Sequence, residues 1–117
     1  MLGIDIEDNS RFENKDDSFY SRIFTKDEIK YCMSKSHPAP HFCARFCAKE
    51  SVIKALSQKG IKISKYNDIE IYLGELSEPH VRILDDRYSH ICVEVSLSHD
   101  KTKSVAVAQV VEKYPNI

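Results

Sequence analysis

The chain has 117 residues, of which 42% are hydrophobic and 30% charged. That supplies one modest core and leaves no room for a second independent domain, so a single domain over residues 1–117 is expected. Lys and Arg number 17 against 18 Asp and Glu, a formal net charge of −1, which excludes wholesale attraction to nucleic acid.

No run approaches the ~20 apolar residues of a membrane helix, and the opening residues lack the basic and apolar regions of a secretory signal. No membrane contact and a cytoplasmic location are therefore expected. Cys32, Cys43, Cys47 and Cys92 lack the Cys-x-x-Cys spacing of a zinc site, and in a reducing compartment they read as small buried hydrophobes.

In chain order, Leu2-Gly3-Ile4-Asp5-Ile6 alternates as a strand with its apolar side chains on the core face, which sends Asp5 to the other face. A polar stretch runs from Glu7 to Asp17. Thr25-Lys26-Asp27-Glu28 has the spacing of a capping box, and Ile29, Cys32 and Met33 follow at helical intervals, which predicts a helix from Lys26 to Lys35. Pro38 and Pro40 break it. A central helix is predicted from His41 to about Ser57, with Phe42, Phe46, Ile53 and Leu56 three or four residues apart and Ala44, Ala48 and Ala55 favouring close packing.

The remainder has strand texture. Asp68 to Leu73 and His80 to Leu84 flank turn residues and read as one hairpin; Ile91 to Leu97 and Ser104 to Val111 flank a second. Helices in the first half and antiparallel strands in the second predict an α+β fold with the long central helix packed on an antiparallel sheet.

Chemistry-bearing residues are scattered among these elements. Glu50 and Lys54 are four apart on one helix and can be an exposed ion pair worth about 0.3–0.5 kcal/mol. Asp5 can be a carboxylate facing water, and His99 a solvated turn residue. No glycine-rich phosphate loop, Ser/His/Asp signature or His-Glu-x-x-His helix is present.

Taken together, three segments resemble the signature blocks of the 4′-phosphopantetheinyl transferases. They are Gly3-Ile4-Asp5-Ile6, then Arg45-Phe46-Cys47-Ala48-Lys49-Glu50-Ser51 with Lys54-Ala55-Leu56, then Ser96-Leu97-Ser98-His99. They occur in order over nearly the whole chain, and the length is similar to that of the short holo-acyl-carrier-protein synthase branch. The sequence departs from the family pattern at Cys47 and Ser51, where Ala is usual, and at Ser57-Gln58-Lys59-Gly60, where a glycine-rich turn is usual.

The resemblance implies the family's fold and its reaction: transfer of the phosphopantetheine arm of coenzyme A to a serine of apo acyl carrier protein. It implies Mg²⁺, with Mn²⁺ as a substitute, held by Asp5 and Glu50. It also implies catalysis by Glu50, Lys54 and Asp5, with Lys54 on the phosphates, His99 beside them, and Arg45 and Lys49 toward the 3′-phosphate or adenine. The base for the serine proton stays open between Glu50 and a water on the metal. Arg11, Arg22 and Lys26 are the implied docking residues for the acidic carrier, and a homotrimer with sites at subunit interfaces is the implied assembly. Two other readings remain, a non-catalytic carrier-binding module and a metal-dependent phosphohydrolase.

Overall fold

The opening alternation forms a strand, β1 (Leu2–Asp8), but it turns to the core the face opposite to the expected one. Leu2, Ile4 and Ile6 are 57%, 64% and 63% exposed, whereas Gly3 is buried. The cause is steric. A Cβ at Gly3 would lie 1.8 Å from the carbonyl oxygen of Ser51 on the central helix, so only a glycine lets that helix approach. The two-residue period of a strand then carries Asp5 and Glu7 to the inner face with Gly3.

The structure, a computed structural model, describes residues 1–111; the last six positions of the expected domain lie outside the described residues. After β1 come a 3-10 turn (Asn9–Phe12), α1 (Asp17–Ile23), α2 (Lys26–Met33), α3 (Pro38–Ser57) and a second 3-10 turn (Tyr66–Asp68). Strands β2 (Ile69–Leu73), β3 (Pro79–Ile83), β4 (Cys92–His99) and β5 (Lys103–Val111) complete it. The sheet that carries α3 has the order β1-β5-β4, antiparallel throughout, and β2-β3 is a separate hairpin. This is the α+β arrangement expected, with both hairpins in place.

The helices follow from their ends. Thr25 and Glu28 form the capping box that starts α2. Helix α1 lies partly within the polar stretch, and Asp16 caps it by accepting from the Phe19 N–H at 2.8 Å. Pro38 and Pro40 do not precede α3 but build its first turn, where the missing N–H groups have no intrahelical acceptor. At the other end Gly60, at φ 76°, donates its N–H to Ser57, and Ile61 donates to Leu56, the paired bonds of a Schellman ending.

Helix α3 is buried on nearly every side, as expected of one enclosed between layers. Below it lie Ala106, Ala108, Val93 and Val110 of the sheet; its other faces meet an aromatic cluster with Phe12, Tyr20 and Phe24. Tyr20 stacks on Phe42 with ring centroids 4.0 Å apart. Cys32, Cys43 and Cys47 are buried and Cys92 half-buried, and all four are free thiols.

Candidate active site

The close approach enforced by Gly3 brings the β1 carboxylates beneath the C-terminal half of α3. Lys54 Nζ donates to Asp5 Oδ1 at 3.2 Å and to the Ile4 carbonyl at 3.0 Å. Its ammonium is thus committed to β1 rather than to Glu50, and its side chain remains 52% exposed. Asp5 Oδ2 is buried and has no hydrogen-bond donor. Glu7 shares the inner face of β1 and pairs with Arg11. Burial, with Asp5 beside it, raises the Glu7 carboxyl above the usual glutamate range, although Arg11 pulls it back. Asp8 points the other way, toward solvent, and pairs with Lys103 across the sheet.

Glu50 projects from α3 one turn before Lys54 and accepts a hydrogen bond from the Tyr66 hydroxyl at 2.5 Å. This bond, with burial, pushes the Tyr66 phenol up to about 12. The Tyr66 ring packs on Phe46 with centroids 5.2 Å apart, and Arg11 lies over the same Phe46 ring at 5.2 Å. A continuous run of contacts therefore leads from Lys54 through Asp5, Glu7, Arg11, Phe46 and Tyr66 to Glu50. Nothing in the strand and helix periodicity pointed to Tyr66, because its contact with Glu50 is made in tertiary structure by a residue 16 positions away.

Lys49, implied by the resemblance as a coenzyme contact, lies in the interior of the chain. Its side chain is 0% exposed, and Nζ donates to Glu28 Oε1 at 2.6 Å, to the Ile23 carbonyl at 2.8 Å and to the Tyr66 carbonyl at 3.2 Å. All three ammonium protons are taken. Burial pushes its pKa down, against the pull of Glu28. The sequence did carry a signal: Lys49 falls in register with Phe42, Phe46, Val52 and Leu56 on the inward side of the helix.

Arg45 is about 140° round the helix from Glu50, only 4% exposed, with its guanidinium 4.1 Å from the Tyr31 ring centroid. Its Nη1 donates to the His41 carbonyl, but its buried Nε has no partner. It lines a cleft of about 220 Å³ with Tyr31, Glu70, Tyr72 and Arg82. His99 stands on β4, the sheet edge opposite β1, in the row that runs from Glu7 through Ser104. Two strand spacings, about 10 Å, separate the ends of that row. His99 meets His41 at 5.6 Å between ring centroids and opens with His37 and Lys101 on a recess of about 620 Å³. One chain thus pairs Asp5 with Lys54, sets Glu50 one helical turn from Lys54 on α3, and places Arg45, Lys49 and His99 in other surroundings.

Of the docking candidates, Arg11 borders this site and is half-exposed. Arg22 and Lys26 are exposed on α1 and at the start of α2.

Residues 1–110 match the sequence profile of the 4′-phosphopantetheinyl transferase superfamily. The holo-(acyl-carrier-protein) synthase of Geobacter sp. (strain M21) is 36% identical over 115 residues, covering 90% of this chain and 92% of that protein. That of Aquifex aeolicus (strain VF5) is 34% identical over 122 residues, covering 97% and 99%. The crystal structure of Helicobacter pylori holo-(acyl-carrier-protein) synthase in complex with coenzyme A is similar with a TM-score of 0.79 at 27% identity, covering 95% of this chain and 100% of that one. A Bacillus anthracis holo-(acyl-carrier-protein) synthase in complex with coenzyme A (3′,5′-ADP) gives 0.78 at 28% identity, covering 93% of each chain. With Gly3 and Asp5 of the first signature block set against α3, which carries the second, this chain belongs to the 4′-phosphopantetheinyl transferase superfamily, in the holo-acyl-carrier-protein synthase branch.

Proposed function

We propose that the chain transfers the 4′-phosphopantetheine arm of coenzyme A to a serine hydroxyl of apo acyl carrier protein, with Mg²⁺ at Asp5 and Glu50. The observation that carries this reading is the pairing of Asp5 on β1 with Lys54 on α3, one helical turn after Glu50, in a chain whose relatives are named for that reaction. In the transfer, the serine oxygen forms a bond to the phosphorus that bears the pantetheine. The bond from that phosphorus to the bridging oxygen breaks, and adenosine 3′,5′-bisphosphate leaves with the electron pair.

The residues fit a hard cation. The buried Oδ2 of Asp5 lacks any donor, the nearby acceptors are carboxylate oxygens, and Mg²⁺ needs only one or two of these besides substrate phosphates. Among the described residues no group of three or more His, Cys, Asp or Glu forms a ready-made metal cage. When bound, the ion would neutralise charge on the diphosphate. Lys54, half in solvent, is placed to swing from Asp5 onto the same phosphates and stabilise charge growing on the leaving oxygen. Arg45 and its unpaired Nε suit the 3′-phosphate or adenine side of the coenzyme.

Two observations support a homotrimer. His99 and the Asp5 group lie on opposite sheet edges, so one subunit's His99 can complete another's site. The outer sheet face also leaves Leu2, Ile4, Ile6 and Val107 exposed, an apolar surface suited to covering by another copy of the chain. Arg11, with Arg22 and Lys26, would meet the acidic carrier, which then competes with Glu7 for the Arg11 guanidinium.

Incubation with coenzyme A, Mg²⁺ and apo carrier protein is expected to add ~340 Da to the carrier, the mass of the phosphopantetheine group. No mass gain with several bacterial-type carriers would leave a binding module, and breakdown of coenzyme A without a carrier would mark a phosphohydrolase.

A further inference from the structure

We infer that Tyr66 is the positioning residue for Glu50, holding one carboxylate oxygen so that the other is presented to a cation. The inference deepens the transferase reading above and rests on it. Glu50 is partly buried, and a glutamate partly in water samples several rotamers that must be ordered when a ligand is captured. A hydroxyl on a packed ring does this ordering beforehand, occupying one of about four lone-pair positions on the carboxylate.

Tyr66 is equipped for that task because it is fixed at both ends. Its ring packs on Phe46 with centroids 5.2 Å apart, and its hydroxyl donates to Glu50 Oε1 at 2.5 Å. Its carbonyl accepts from Lys49 Nζ at 3.2 Å, and Lys49 is itself anchored on Glu28 at 2.6 Å. Adjacent residues of α3 therefore grip the two ends of one tyrosine: Lys49 its main chain, Glu50 its hydroxyl. The first contact places the 3-10 turn against α3, and the second uses that placement to orient the carboxylate.

Tyr66→Phe isolates the hydroxyl, since the phenylalanine ring can still pack on Phe46 and the carbonyl can still serve Lys49. Mn²⁺ serves as the probe, with its binding read by electron paramagnetic resonance in the presence of coenzyme A and without carrier. The expected result is an unchanged unfolding midpoint, about tenfold weaker Mn²⁺ binding, and a kcat lowered by a similar factor at unchanged KM for the carrier. Unchanged Mn²⁺ affinity and turnover would overturn the inference.

The same exchange in a Glu50→Gln background separates positioning from a loosened fold. Positioning requires the Mn²⁺ effect to vanish there; an equal loss in both backgrounds would overturn it. A wild-type chain that leaves the carrier unmodified but binds Mn²⁺ in a Tyr66-dependent way refutes the transferase reading and sustains this one. Normal transfer by the wild type, with Tyr66→Phe indistinguishable from it, does the reverse.

Discussion

One step along a helix turns about 100°, and in α3 the step from Lys49 to Glu50 leads from a closed polar pocket to the candidate site. Glu28 in that pocket is 1% exposed and accepts from Lys49, from the Thr25 N–H and from the Ile71 N–H. The pair joins α2 and β2 to α3. Removing one partner of a buried pair leaves the other desolvated without compensation. Lys49→Met is therefore expected to cost about 3 kcal/mol in urea unfolding, with the KM for coenzyme A of the folded enzyme unchanged. A raised KM at full stability would return Lys49 to the coenzyme. Residue chemistry alone did not separate the two bases: Lys49 and Lys54 belong to the same sequence block, and only their angular positions distinguish a buried cation from a half-exposed one.

At the scale of elements, the crossing of β1 and α3 depends on one missing methyl group. A Cβ at Gly3 would stand 2.8 Å from the Ala55 nitrogen as well as 1.8 Å from the Ser51 oxygen, and these are backbone atoms that cannot turn aside. Gly3→Ala should push α3 away from the strand, costing about 3 kcal/mol and lowering kcat/KM further, since Lys54 and Glu50 ride on the displaced helix. Urea unfolding and steady-state kinetics together check this; an unperturbed enzyme would show that the approach is looser than described. The hairpins and α2 were legible because their signals are local: strict alternation, turn residues and a capping box. The facing of β1 was not, because the pattern of large apolar residues gives the period and not which side meets a helix. Pro38 and Pro40 misplaced the start of α3 for a similar reason, since a proline that ends one helix serves equally in the first turn of another.

For the whole molecule, the separation of His99 from the Asp5 group gives a test that needs no structure of the assembly. Glu50→Gln and His99→Ala chains are each expected to be nearly inactive, yet refolding an equal mixture should recover about a quarter of wild-type activity. In a ring with heterologous contacts, about one interface in four then pairs an intact Glu50 with an intact His99. No recovery would place both residues in one subunit's site or outside any site. Sequence blocks could name these residues but not place them at opposite edges of the sheet, since that depends on which edge each strand occupies.

The order in which the strands are made adds a constraint of its own. Leu2 pairs with Gln109 and Asp8 with Lys103, so β1 has as its sheet neighbour a strand made about a hundred residues later. At about 5–20 residues per second, β1 waits roughly 5–20 s for β5, its backbone edge unpaired. Contacts so distant in sequence form late and slow folding. The strand that carries Asp5 therefore gains its only sheet neighbour, among the described residues, about a hundred residues after its own synthesis, well after the α3 helix it also packs on has been made.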